Sequence, residues 1–190
     1  EIGLIGELVF LRRLIVAHGS SVVSTWMGPN GDSHDFRAFE REFEVKTTVA
    51  SKRVHTISSA QQLLASPGHT LLLVSVLLGA PGHSQGFSLA DLTSDVTASL
   101  RDDPSLRIFE KALSSPSVSS RMISQSTRLY NLRRPVGITP VAGAVPVVSP
   151  EALVHAIGSV AQRVEAIQYD VNIEGLVVED GSNEFDAYIR

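Results

Sequence analysis

With 190 residues, 43% of them hydrophobic and 19% charged, the chain suits a single folded domain with a buried core, and disordered and fibrous classes are excluded. It has no cysteine, so disulfides and thiolate metal sites are excluded and a reducing cytoplasm is the expected location. A net charge of −4 argues against a purely electrostatic nucleic-acid binder, but it suits an enzyme that gathers carboxylates around a metal.

Residues 3–17 read as a helix, because Leu4, Leu8, Leu11 and Ile15 recur at helical spacing, and Gly19 is its stop. The chain starts at Glu1 and enters this helix at once, without the basic start and small-residue cleavage site of a signal peptide, which reads as a piece of a longer protein. Residues 22–27 favour a strand, and Gly28-Pro29-Asn30-Gly31-Asp32 is a turn. Residues 34–39 and 43–49 predict a hairpin that turns near Glu40-Arg41. In its second strand Phe43, Val45 and Thr47 alternate with Glu44, Lys46 and Thr48.

Residues 53–57 add a short strand. Ser58 or Ser59 is a candidate cap for a helix running through Gln61 and Gln62 to Ser66. Pro67-Gly68 ends it, and residues 69–78 form a buried strand interrupted by Ser75; this run is far short of the roughly 20 apolar residues of a membrane helix, so no membrane partner is expected. Helices are predicted over 88–100 and 104–113, extended segments over 129–132, 136–139 and 144–148, a helix over 151–158 opened by Pro150, and one or two strands within 166–178. The order implies an α/β fold with a mixed central sheet flanked by helices. The expected organisation is a core over 1–113, a serine-rich loop or hinge over 114–126, and an α/β extension over 127–190 packed on that core as part of the same domain.

The residues that carry chemistry lie on the hairpin. Hydrolysis of a phosphodiester needs a divalent cation held by oxygen ligands and a group that orients the attacking water. Glu44 and Lys46 leave the same strand face, and a turn near Glu40-Arg41 sets Asp35 almost opposite Glu44, with the Val45 carbonyl pointing into the same space. Taken alone, Glu44 and Lys46 fit better a hairpin whose charges face water, and Asp35 on the paired strand brings the two readings level. Glu7 sits at the edge of the apolar helical stripe. It either aims at the same site through water, or reaches solvent or pairs with Arg12 or Arg13.

The blocks Gly3-Leu4-Ile5-Gly6-Glu7-Leu8, Trp26 with Gly28-Pro29, His34-Asp35-Phe36, Glu44-Val45-Lys46-Thr47-Thr48, and Ile57-Ser58 with Gln62-Leu63 occur in this order. Together they resemble a prokaryotic group of the PD-(D/E)XK nuclease superfamily found beside DNA methyltransferases, ATPases and other phage-defence genes. The resemblance implies a restriction-endonuclease-like core and a DNA endonuclease of restriction or anti-phage defence, with DNA and such an ATPase or methyltransferase as partners and dimerisation open. It implies metal ligands at Asp35, Glu44 and Glu7, Lys46 as the water-orienting residue, and Mg²⁺ as the cofactor, with Mn²⁺ able to substitute. Gln62 matches the polar position after the core strands, although neighbouring Gln61 competes with it and a plain exposed helix position is the alternative. His34 stands where the named motif has proline. A nuclease fold that binds DNA or a defence partner without cutting it is the competing reading.

The six histidines show no zinc-ligand spacing and read as surface or turn residues. No P-loop, G-x-S-x-G or G-x-G-x-x-G motif occurs. Arg128, Arg133 and Arg134 form the one basic cluster, read either as phosphate contacts or as a solvated edge.

Overall fold

The computed structural model describes residues 1–82, 86–118 and 120–190. The order is α1 (Ile2–His18), β1 (Phe36–Ala38), β2 (Arg41–Thr48), β3 (Val54–Ile57), β4 (Thr70–Gly79), α2 (Leu89–Ser99), α3 (Asp103–Leu113), α4 (Ser120–Gln125), β5 (Asn131–Leu132), β6 (Gly137–Pro140), α5 (Pro150–Ile157), β7 (Tyr169–Asn172), β8 (Val178–Glu179) and α6 (Asn183–Ile189). The main sheet runs β1-β2-β4-β6-β8, with β5 also on β4, and β3 and β7 form a separate antiparallel ribbon. Among the described residues only β2 and β4 pair in parallel; the other pairings are antiparallel. This is the expected α/β class with a mixed sheet flanked by helices, consistent with a restriction-endonuclease-like core. Strands β6 and β8, late in the chain, hydrogen-bond into the same sheet as β1 and β2, and α4 lies within the serine-rich stretch. No helix among the described residues is long and apolar enough to cross a membrane.

Helix α1 is buried more widely than its predicted stripe. Ile5, Val9, Phe10 and Leu14 are as hidden as Leu4, Leu8, Leu11 and Ile15, because α1 lies between the sheet and α2. Phe10 meets Phe43 at 5.2 Å and Phe36 at 5.3 Å, which fixes α1 on the Phe43-Val45 face of β2. Gly6 makes that approach possible, since a Cβ there would lie 1.8 Å from Thr47 Oγ1. Gly6→Ala should therefore destabilise the fold by about 1–3 kcal/mol. Adding Thr47→Ala, which removes the clashing atom, should restore part of the loss in thermal denaturation. An unchanged melting temperature in the single variant would show that this contact does not set the helix–sheet spacing.

The other face of β2 is covered too. Along β4, Leu72, Val74, Val76 and Leu78 join the α1 core, whereas Leu71 and Leu73 pack with Ile57, Leu63, Val141, Val145, Val171 and Ile173. The β3-β7 ribbon thus lies over the side of the sheet that carries Glu42, Glu44 and Lys46.

Several predicted elements come out differently. Residues 20–25 form a 3₁₀ turn rather than a strand, because Ser24 and Thr25 hydroxyls donate back to the carbonyls of Ser21 and Val22 at 2.8 and 2.7 Å. The helix expected through Gln62 is one 3₁₀ turn, Ala60–Leu63: the Gln62 side chain takes the Ser58 N–H, and the Ser66 N–H is drawn to Glu42. No strand forms over 144–148, although Val145 is buried. The hairpin turns at Phe39-Glu40, one residue earlier than expected. Both have positive φ, 54° and 60°, as a tight two-residue connection requires. Arg37 pairs with Glu42 and Phe36 with Phe43. The same register, continued one residue past the ladder, sets Asp35 across from Glu44.

Candidate metal centre

Four segments converge at the open end of β1. Backbone N–H groups of Met27 and Gly28 donate to the Asp35 carbonyl at 2.7 and 3.1 Å, fixing the residue just before the strand. Asp35 Oδ2 accepts the Val45 N–H at 2.7 Å. Since a strand residue sends its N–H and C=O to the same side, the Val45 carbonyl also projects toward Asp35. The other oxygen, Asp35 Oδ1, lies 2.9 Å from where a Cβ on Gly28 would stand, and Glu7 Oε2 lies 2.6 Å from that same point. Any side chain at residue 28 would therefore wedge the two carboxylates apart.

Glu7 reaches this point from α1. It pairs with neither Arg12, which takes Asp95, nor Arg13, which takes Asp180 and Asp186. Its Oε2 accepts instead from Trp26 Nε1 at 2.8 Å, and buried Trp26 is held against Phe109. The sequence blocks included Trp26 without assigning it a role; the structure makes it the anchor of Glu7. Beside Glu7 and Gly28 a cleft of about 180 Å³, lined also by Gly3, Pro29 and Met122, opens to the surface.

On β2, Lys46 Nζ lies 2.9 Å from Glu44 Oε1 and donates to Gln62 Oε1, also at 2.9 Å. Gln62 Oε1 accepts the Ser58 N–H as well, so the end of β3 steadies the ammonium. Gln62 is thus distinguished from exposed Gln61, but on a 3₁₀ turn and not on the expected helix. Nor is this face the water-facing charged surface of the alternative reading. Glu44 is only 4% exposed and the Lys46 side chain 15%.

Burial decides the electrostatics. Glu7 is pushed up to about 8, first by desolvation and then by the Asp35 charge, against the Trp26 hydrogen bond. Glu44 is also pushed up to about 8 by burial and by Asp35, and the Lys46 ammonium does not offset this. Asp35 is raised by burial in spite of the Val45 N–H and Lys46. Three carboxylates share one neighbouring ammonium in a low-dielectric space, which leaves a deficit of positive charge. Among the described residues no three His, Asp or Glu side chains form a finished cation cage. The donors available are all oxygens, however, and hard divalent cations such as Mg²⁺ and Mn²⁺ prefer that set. The residues fit such a cation.

Two of the predicted surface histidines are buried. His34, 4% exposed, lies 3.3 Å from Glu42, which is itself fully buried. Burial would raise Glu42, but Ser66 and Arg37 outweigh it and hold the carboxylate at about 2. His55, 3% exposed, has Nε2 2.7 Å from Ser75 Oγ, and burial followed by the charges of Arg53 and Lys46 pushes it down to about 4. Arg53 is fully buried as well. It donates to the Ser75 carbonyl and hydroxyl at 2.9 Å, to the Pro135 carbonyl at 2.7 Å and to Glu179 at 3.0 Å. Ser75 is the β4 partner of Lys46 in the parallel register, so this polar network lies directly beside the site. Sequence reasoning missed it, and an interrupting serine in an apolar strand was the one available signal. His83 lies outside the described residues.

A family model described as "Putative PD-(D/E)XK family member, (DUF4420)" matches residues 1–174. Neither a curated protein nor a solved structure matches the chain. The chain belongs to this PD-(D/E)XK family.

Proposed function

We propose, with that membership as the premise, that the chain is a metal-dependent DNA endonuclease domain of a prokaryotic restriction or anti-phage system. The observation that carries this reading is the convergence of the buried carboxylates Glu7, Asp35 and Glu44 beside the single ammonium of Lys46 and a surface cleft. Asp35, Glu44, Glu7 and the Val45 carbonyl would hold Mg²⁺, with Mn²⁺ as a substitute. The bound cation supplies charge stabilisation to the phosphoryl oxygens. Lys46, steadied by Gln62, orients the attacking water and favours its deprotonated form. The water oxygen bonds to phosphorus as the bond to the leaving sugar oxygen breaks, and that oxygen takes up a proton.

The test is cleavage of plasmid DNA with Mg²⁺, with Mn²⁺ and with chelator, for the wild type and Asp35→Ala. The expected result is cleavage by the wild type that chelator stops. Asp35→Ala should lose it through weaker metal binding, with partial rescue by excess Mn²⁺. A wild type that binds DNA tightly but leaves it intact with either metal would favour a nuclease fold serving as a scaffold.

A further inference from the structure

The basic cluster Arg128, Arg133 and Arg134 divides in the fold. Arg134 is committed to carboxylates, pairing with Glu174 and with Glu179 at 2.9 Å. Among the described residues neither Arg128 nor Arg133 has a carboxylate partner. Both line a cavity of about 260 Å³ where β2 and β4 end, together with Val49, Gly79, Ala80 and Tyr130, and no acidic residue lines it. The Arg128 guanidinium is placed by stacking and that of Arg133 by its close approach to the Gly79 backbone. Arg128 lies over the Tyr130 ring at 5.2 Å, and that ring belongs to a buried residue whose backbone bridges to Phe87. Arg133 lies against the last residue of β4, with Nη2 3.4 Å and its guanidinium carbon 3.5 Å from where a Gly79 Cβ would stand. Stacking holds a guanidinium in place and leaves its N–H fork free for an anion with two or more oxygens.

We propose that this cavity is a second phosphate subsite, which grips the DNA backbone away from the scissile bond. The proposal rests on the nuclease reading above and adds where the substrate strand runs. Val49 lies three residues beyond Lys46, just past the end of β2, at most about 10 Å away at roughly 3.3 Å per residue. The gripped phosphate is therefore a near neighbour, on the same strand, of the one being cut. The position accords with the general placement of ligands beyond the carboxyl ends of strands in α/β sheets. In a chain of net charge −4, these two arginines without a carboxylate partner gather positive charge in one cavity.

The experiment measures binding of a short fluorescein-labelled DNA duplex to the full chain over a salt series, with chelator present so that no cleavage intervenes. The Arg128→Gln/Arg133→Gln double variant should bind about tenfold more weakly or worse at physiological salt, and its slope of log affinity against log salt should fall by about 1–2. Arg163→Gln, at an exposed position away from the cavity, should change neither. Both arginines are exposed, so circular dichroism should report an unaltered fold. A double variant with wild-type affinity and slope overturns the subsite and leaves the nuclease reading standing. A wild type that binds no DNA and cuts none overturns both.

Discussion

Lys46→Met should lower metal-dependent cleavage by about 10²–10⁴-fold while leaving DNA affinity nearly unchanged. Methionine keeps much of the lysine volume, which matters because the side chain is largely buried beside Gln62 and Glu44. What disappears is the ammonium. With it should go the proposed orientation of the attacking water, which added metal should not replace. Excess Mn²⁺ should therefore fail to rescue Lys46→Met, whereas it should partly rescue Asp35→Ala. Single-turnover cleavage at saturating DNA is the measurement. A Lys46→Met enzyme as fast as wild type would remove Lys46 from the mechanism.

Without metal, the protein should lose stability as pH rises from about 4.5 to about 8. Glu7 and Glu44 have an ordinary value of 4.5 and are raised to about 8 in the fold. Across that window the folded state holds protons that the unfolded chain has released, so the stabilisation is complete below 4.5 and is lost as pH passes through 8. Each tenfold change in proton affinity is worth about 1.4 kcal/mol, and the total for these two groups, whose titrations share the Asp35 charge, is of the order of several kcal/mol. Glu42 acts in the opposite sense: held at about 2, it contributes stability above 4.5 that is lost as pH falls toward 2. A divalent cation bound at the proposed site should displace the protons on Glu7 and Glu44 and reverse the alkaline loss. Mn²⁺ should then raise the melting temperature more at pH 8.5 than at pH 6, and Glu44→Gln should flatten the metal-free slope. A melting temperature independent of pH between 5 and 9, with and without Mn²⁺, is the result that sinks this account.

Much of the architecture was legible in local patterns. The period-two alternation through Glu44-Val45-Lys46 and the nine-residue offset to Asp35 are properties of one hairpin, and a hairpin is specified by neighbouring residues. The apolar run of β4 was equally plain. What escaped depends on partners distant in sequence. The Glu44-Lys46 face looks like a solvated charged surface until β3 pairs with β7 and closes over it, a pairing that joins Val54 to Asn172. The same closure buries His55 and Arg53, which have no spacing pattern to reveal them. Residues 20–25 looked extended because their valines favour strands, but the serine and threonine hydroxyls decided the backbone. Gln62 was separated from Gln61 only by the position of the Lys46 ammonium.

The buried guanidinium of Arg53 also links the site to the order in which the chain is made. Synthesis delivers Arg53 and Ser75 first, and the remaining acceptors, Pro135 and Glu179, only well after them. An unfinished chain would hold a desolvated cation with half its acceptors missing, a state that costs about 3–5 kcal/mol. The β3 ribbon that covers Glu44 and Lys46 therefore cannot settle until the late strands arrive. On a ribosome, where N-terminal segments emerge before C-terminal ones, the carboxylate cluster is made well before the residues that lock its cover in place.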